Sequence, residues 1–209
     1  MDLTQKRCVP CEGGTPPLSP AEVAKHVRIA VDSFATAVEL ELRPSPWTLR
    51  RMVLAGAAID HRPAVHFLAS VPDERWITPV SPSLHWLAME IKTVYSLLRD
   101  DEVEAARWLG AMRDTVFERP LPEALSAEAA GIQNDWSLIE ALFQRTADPF
   151  NQCLSKRMDF RTESFVRNGT ESPLGFLDIE ALGLCRLALD RGIQPAVGHV
   201  TLPLGLLQV

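Results

Sequence analysis

Cys8 and Cys11, with Val9-Pro10 between them, have the spacing of a zinc half-site or of a thiol–disulfide pair. A structural zinc needs a second pair of ligands, and the sequence holds no further Cys-x-x-Cys and no His-x-x-x-His. A redox pair wants a strand before it and a helix at its second cysteine, which this proline-rich stretch does not offer. No metal and no redox role are therefore predicted. His26, His61, His66, His85 and His199 fall at no metal-ligand spacing, and His61 and His66, five apart, are expected on different faces of a helix. Gly-x-Ser-x-Gly, a phosphate loop and His-Glu-x-x-His are all missing, and Gly13-Gly14 leads into prolines rather than from a strand into a helix. The sequence nominates no catalytic residue and no cofactor.

Charge is the remaining chemical signal. Residues 100–140 carry ten acids (Asp100, Asp101, Glu102, Glu104, Asp114, Glu118, Glu123, Glu128, Asp135, Glu140) against three bases (Arg107, Arg113, Arg119), while the whole chain nets −6. At Asp100-Asp101, capping and the helix dipole account for paired carboxylates without catalysis. The wider acidic run is either a solvated helical face or a docking surface for a basic protein, which would gain on-rate and specificity from complementary charge.

The elements that carry these residues read as helices. Ser19-Pro20-Ala21-Glu22 is a capping box with proline at the first helical position. Val23, Val27, Ala30, Val31, Phe34, Val38 and Leu42 follow as one stripe that stops near Arg43-Pro44. Ser45-Pro46 opens a helix with Leu49, Val53 and Ala57, and Pro63 opens another through Leu68. A turn-rich stretch spans Pro72 to Pro79. From Ser81-Pro82, Leu84, Leu87, Ile91, Val94, Tyr95 and Leu98 line one face, and Glu90, Lys92 and Arg99 are assigned to the other. Asp100 and Asp101 end that helix and cap the next, whose stripe is Val103, Ala106, Leu109, Met112 and Val116, ending before Pro120. Asn134 is the predicted cap of a helix with Trp136, Ile139, Leu142 and Phe143, and Asp148-Pro149 that of one with Phe150, Leu154 and Met158. After the Asn168–Pro173 loop, a last helix runs from about Leu177 to Arg191, with Gly192 as its left-handed terminator. The tail Ile193 to Val209, broken by Pro195 and Pro203, is expected as an extended strap.

No period-two strands stand out, so the predicted fold class is all-α: an antiparallel array of about seven to nine helices. An irregular Pro/Gly/Cys-rich arm (1–19) would precede a single helical domain (20–209). The chain of 209 residues, 46% apolar, can bury a sizeable core, and its net −6 disfavours a phosphate-binding surface, so no nucleic-acid partner is expected. The longest apolar run, Met52 to Ile59, falls far short of the ~20 residues that span a bilayer, so no membrane partner is expected either. With few cysteines and no secretory pattern at Met1–Arg7, the cytoplasm is the expected location.

Phe150-Asn151-Gln152-Cys153-Leu154, the run from Leu182-Gly183-Leu184-Cys185-Arg186 to Asp190-Arg191-Gly192-Ile193, and Val200-Thr201-Leu202-Pro203-Leu204-Gly205-Leu206-Leu207 resemble the immunity protein 49 family of bacterial polymorphic-toxin systems. Ser83-Leu84-His85-Trp86-Leu87 through Leu98-Arg99-Asp100-Asp101 is similar to that family's central helix, so the resemblance covers roughly 80–207. It implies a helical, non-enzymatic protein that binds and neutralises a cognate toxin domain in the producing cell. The shared residues read as scaffold, and the contact residues of an immunity protein should be idiosyncratic. The toxin-facing surface is placed on the acidic junction Asp100, Asp101, Glu102 and Glu104, as complement to the basic clefts of nucleic-acid-directed toxins. A second stretch, from Asp2-Leu3-Thr4 to Pro17-Leu18-Ser19, is similar to the opening of pterin-4a-carbinolamine dehydratases, a small α+β family with a His-His-Pro signature. In Asp60-His61-Arg62-Pro63 an arginine replaces one imidazole, which leaves proton transfer without a partner.

Overall fold

The computed structural model describes residues 18–40, 42–72, 75, 85–117, 129–168, 178–199 and 202–208. Cys8, Cys11 and most of the N-terminal arm lie outside them, as do most of the turn-rich stretch after Pro72, the Ser81-Pro82 helix start and the loop beyond Asn168.

The described residues form helices α1 (Pro20–Glu39), α2 (Pro46–Ala58), α3 (Arg62–Ala69), α4 (His85–Leu98), α5 (Glu102–Phe117), α6 (Ala129–Phe143), α7 (Ala147–Asn168) and α8 (Ile179–Asp190), then a short 3₁₀ helix, Leu204–Gln208. No strand occurs among them, as the all-α reading expects. Among the described residues no helix is long and apolar enough to cross a membrane.

Local sequence sets several of the ends. Ser19 Oγ accepts from the Glu22 backbone N–H, and the Glu22 carboxylate accepts from the Ser19 N–H at 2.7 Å, so two orphan donors of α1 are satisfied reciprocally. Ser45 Oγ caps α2 through Thr48 N–H at 3.1 Å, and Asp178 Oδ1 caps α8 through Ala181 N–H at 2.9 Å. The turns after α2, α4, α6 and α8 share one geometry. His61, Asp101, Thr146 and Ile193 each donate their N–H to the carbonyl five residues back, at 2.8–3.0 Å. The residue before each has positive φ: Asp60, Asp100, Arg145 and Gly192. This double-bonded termination closes the last turn and reverses the chain.

Those tight turns make hairpins. α2 packs on α3, α4 on α5 and α6 on α7, each pair joined by three residues and so antiparallel. The central helix is α2, which touches α1, α3, α4 and α8. The α2 and α8 backbones come close at Gly183, where a Cβ would stand 2.3 Å from the Leu54 carbonyl oxygen. One apolar core runs through Val31, Leu49, Leu68, Leu142, Phe150 and Leu184, and a smaller cluster gathers Trp86, Leu87, Met112, Val116 and Ile132.

Several expectations are corrected. α1 ends at Glu39 rather than carrying its stripe to Leu42, because the Pro44 ring would clash with the carbonyl four residues back, at Leu40, if the helix continued; Leu42 and Ala30 are exposed. On α5 the buried stripe is Ala105, Leu109, Met112 and Val116, while Val103 is 80% exposed: steps of three drift backwards around a helix, so Val103 and Ala106 fall on the solvent side. Asn134 is not a cap but lies inside α6, where its side-chain amide donates to the Cys153 carbonyl at 2.9 Å. Asp148 stands in the first turn of α7, which begins one residue earlier. The tail is only partly a strap. Asn151 clamps it by donating to Gln194 O and accepting from Ala196 N–H, but Leu204–Gln208 winds into the 3₁₀ turn that buries Leu207. The largest correction is Glu90, assigned to the solvent face of α4 and in fact wholly buried.

Candidate functional site

Glu90 belongs to a charge network that joins five helices. Arg50 of α2 lies 2.7 Å from Glu90 Oε1 of α4 and 3.1 Å from Asp135 Oδ2 of α6, and its second amino group meets Glu180 of α8. Arg157 of α7 reaches Asp178 Oδ2 at 3.2 Å and Glu180 Oε2 at 3.0 Å, and it also bonds Asp135. Arg51 Nε adds a contact to Glu180 Oε1 at 3.3 Å. Burying a lone charge costs several kcal/mol, so such groups persist only when mutually paired. Burial alone would lower the Arg50 and Arg157 pKa values, but the surrounding carboxylates outweigh it and push both above the ordinary arginine range. Glu90 is shifted up: burial dominates the opposing field of Arg50, which is shared with two other acids.

Outside this network opens a cavity of about 730 Å³. Arg50, Arg157, Asp135 and Glu180 form its charged wall, Arg51 and Lys156 bring cations to it, and Trp47, Trp86, Phe117 and Phe160 make it aromatic. Trp47 meets Trp86 edge-on with centroids 5.6 Å apart, and Phe160 lies over the bare Cα of Gly131. The wall sets aromatic side chains beside fixed charged and polar groups, an arrangement that can hold a group with both an apolar and a charged part.

Comparison of the chain with family models, with curated proteins and with solved structures finds no match.

The acidic junction lies together at the α4–α5 turn, where each residue has a local task or neighbour. Asp101 Oδ1 caps α5 through Glu104 N–H at 3.1 Å, and Asp100 occupies the positive-φ position. Glu102 accepts from Arg191 at 2.7 Å and Arg145 at 3.0 Å, which holds its carboxyl below the usual range. Arg191 in turn donates to the Leu142 and Phe143 carbonyls, capping α6. Glu104 pairs with Arg107 on the surface.

A second hollow of about 230 Å³ brings His61, His66 and Tyr95 together. His61 Nε2 lies 2.5 Å from Asp32 Oδ1, and His66 Nδ1 bonds the Tyr95 hydroxyl. The two imidazoles turn to different helices, α1 and α4, but His61 is not on a face of α3, since it precedes that helix with non-helical backbone. The α+β fold implied by the dehydratase resemblance has no counterpart among the described residues. Both described cysteines are poor nucleophiles: burial pushes Cys185 up to about 12 and also raises Cys153. Among the described residues, no group of His, Cys, Asp and Glu is arranged to hold a metal ion.

Reading the sequence missed Arg157, Asp178 and Glu180 and placed Asp135 only within an acidic run. A signal existed for some of these. Arg157 stands seven residues after Phe150 and three after Leu154, and Glu90 four after Trp86, so each sits on an apolar helical stripe.

Proposed function

We propose that this chain is a non-enzymatic immunity protein that binds a toxin domain directly and neutralises it in the cytoplasm of the cell that makes both. The observation that carries this reading is the concavity framed by Trp47, Phe117, Arg51 and Lys156 and backed by the buried charge network. Tryptophan and arginine are the residue types that dominate protein-interface energetics when seated in a concave, well-packed frame. A wall locked from behind by ion pairs across five helices pays little ordering entropy on association. The fold agrees in class with the helical scaffold that the family resemblance implies. The acidic turn is the second surface of this proposal; Asp100 and Glu104 are its exchangeable members, because Glu102 and Asp101 serve the fold.

The experiment is co-expression with the toxic C-terminal domain encoded beside this chain's gene. Restored growth, together with co-elution of the two chains in size-exclusion chromatography, is the expected result. Unrelieved toxicity with soluble, folded protein present would overturn the reading.

A further inference from the structure

The charged groups around the 730 Å³ cavity are unequal in what they have left to give. Its carboxylates are saturated: Asp135 accepts from Arg50 and Arg157, one on each oxygen, and Glu180 accepts from Arg50, Arg51 and Arg157. Its outer cations are not. Arg51 spends only Nε, on Glu180, and keeps both amino groups, while the Lys156 ammonium has no hydrogen-bond or ion-pair partner among the described residues. Deeper in the wall, Arg50 Nε and Trp86 Nε1 are also donors, buried and without a partner among the described residues. The cavity thus offers hydrogen-bond donors and positive charge, and its own acids compete for neither. Its apolar surface lies alongside, in Trp47, Phe117 and Phe160.

We infer that the cavity is the receptor for an acidic side chain of the partner protein, flanked by an apolar residue: Arg51 and Lys156 take the carboxylate, and the aromatic wall takes its neighbour. This rests on the proposed reading for the partner's being a protein. A carboxylate suits the two free amino groups of Arg51, which present the fork that accepts both of its oxygens. Burial against the aromatic wall strengthens the pair by excluding water. The polarity is opposite to that of the Asp100–Glu104 turn, so the two surfaces would recognise oppositely charged parts of one partner.

The probe is the capped tripeptide N-acetyl-Leu-Glu-Phe amide, titrated into the full chain while the indole N–H resonances of Trp47 and Trp86 are followed by NMR; its Leu-Gln-Phe twin is the control. The acidic peptide should shift both resonances and bind about tenfold more tightly than the twin, and Lys156→Glu should remove that preference. Lys156→Gln, at the same exposed position, gives the same reading if the charge reversal perturbs the circular dichroism spectrum. Equal binding of the two peptides, a preference that survives in both Lys156 variants, or displacement of the peptide by equimolar inorganic phosphate would overturn the inference. Co-expression separates it from the reading beneath it. Rescue by the wild type that is unchanged in Lys156→Glu sinks the cavity assignment alone, whereas peptide preference without any rescue sinks the immunity reading alone.

Discussion

Arg50 and Glu90 stand 2.7 Å apart with both side chains withdrawn from solvent, yet neither Glu90 oxygen has a hydrogen bond in good geometry. The guanidinium is turned towards Asp135 and Glu180, so Glu90 receives its field but not its N–H groups. Its pKa is therefore raised in the folded protein, burial being the main cause. The native state then binds more protons than the unfolded one above the ordinary glutamate range, and stability falls as pH rises from there through the raised value. Glu90→Gln should remove that fall: chemical denaturation across pH should show the variant gaining on the wild type as pH increases. A constant difference between the two would refute it.

Arg157 is the cation shared by Asp135, Asp178 and Glu180. Replacing it with Met takes a cation away from three buried carboxylates, two of which keep Arg50, and costs about 3–5 kcal/mol. Lysine should not rescue, since a point charge cannot match the three-sided fork. Urea denaturation of both variants measures this.

Gly183 lets α8 lie against the α2 backbone. With a Cβ only 2.3 Å from Leu54 O, Gly183→Ala must part the helices, because the obstacle is backbone rather than a movable side chain. A loss of roughly 2–3 kcal/mol is expected. Gly110→Ala, whose Cβ meets nothing within 4 Å, is the control and should gain slightly from helix propensity.

At Gly192 the φ of +77° and the open space around it isolate the backbone term. Gly192→Ala should cost about 1–2 kcal/mol. In the sister turn, Asp100 with φ of 55° already bears part of that strain, so Asp100→Gly should be neutral or stabilising. Thermal melts should show a lowered midpoint for Gly192→Ala and an unchanged or raised one for Asp100→Gly.

Glu102 predicts the acid limb. Its carboxyl is held low chiefly by the Arg191 hydrogen bond, so its contribution is present above the unfolded value and lost as pH falls through the folded one. Its side chain is 42% exposed, and the effect is accordingly modest, at most ~1 kcal/mol. Glu102→Gln should flatten the loss of stability on acidification, read by urea denaturation across acidic pH. For the same reason, charge reversals that probe the acidic turn as a contact surface belong at Asp100 and Glu104.

The local signals of the chain were legible where a few neighbouring residues complete the physics. Ser19, Pro20 and Glu22 build their own cap, Ser45 caps through Thr48, and Gly192 marks its turn because an unbranched backbone takes positive φ freely. The equivalent turns at Asp60 and Arg145 carry no glycine, and nothing in sequence singles them out. The Leu49, Val53 and Ala57 stripe of α2 was legible, whereas the buried charges that share an apolar face, Arg50 on α2, Glu90 on α4 and Glu180 on α8, were not.

The sequence by itself determined that this protein is helical and where most of its helices start and stop, because those depend on contacts three or four residues away. Tertiary structure alone decided which charges go inside. Arg50 meets Glu90, Asp135 and Glu180 across as many as 130 positions of chain. A buried charge is tolerable only if its partner arrives from another helix. A helical wheel gives the direction in which a side chain points, but not what waits there.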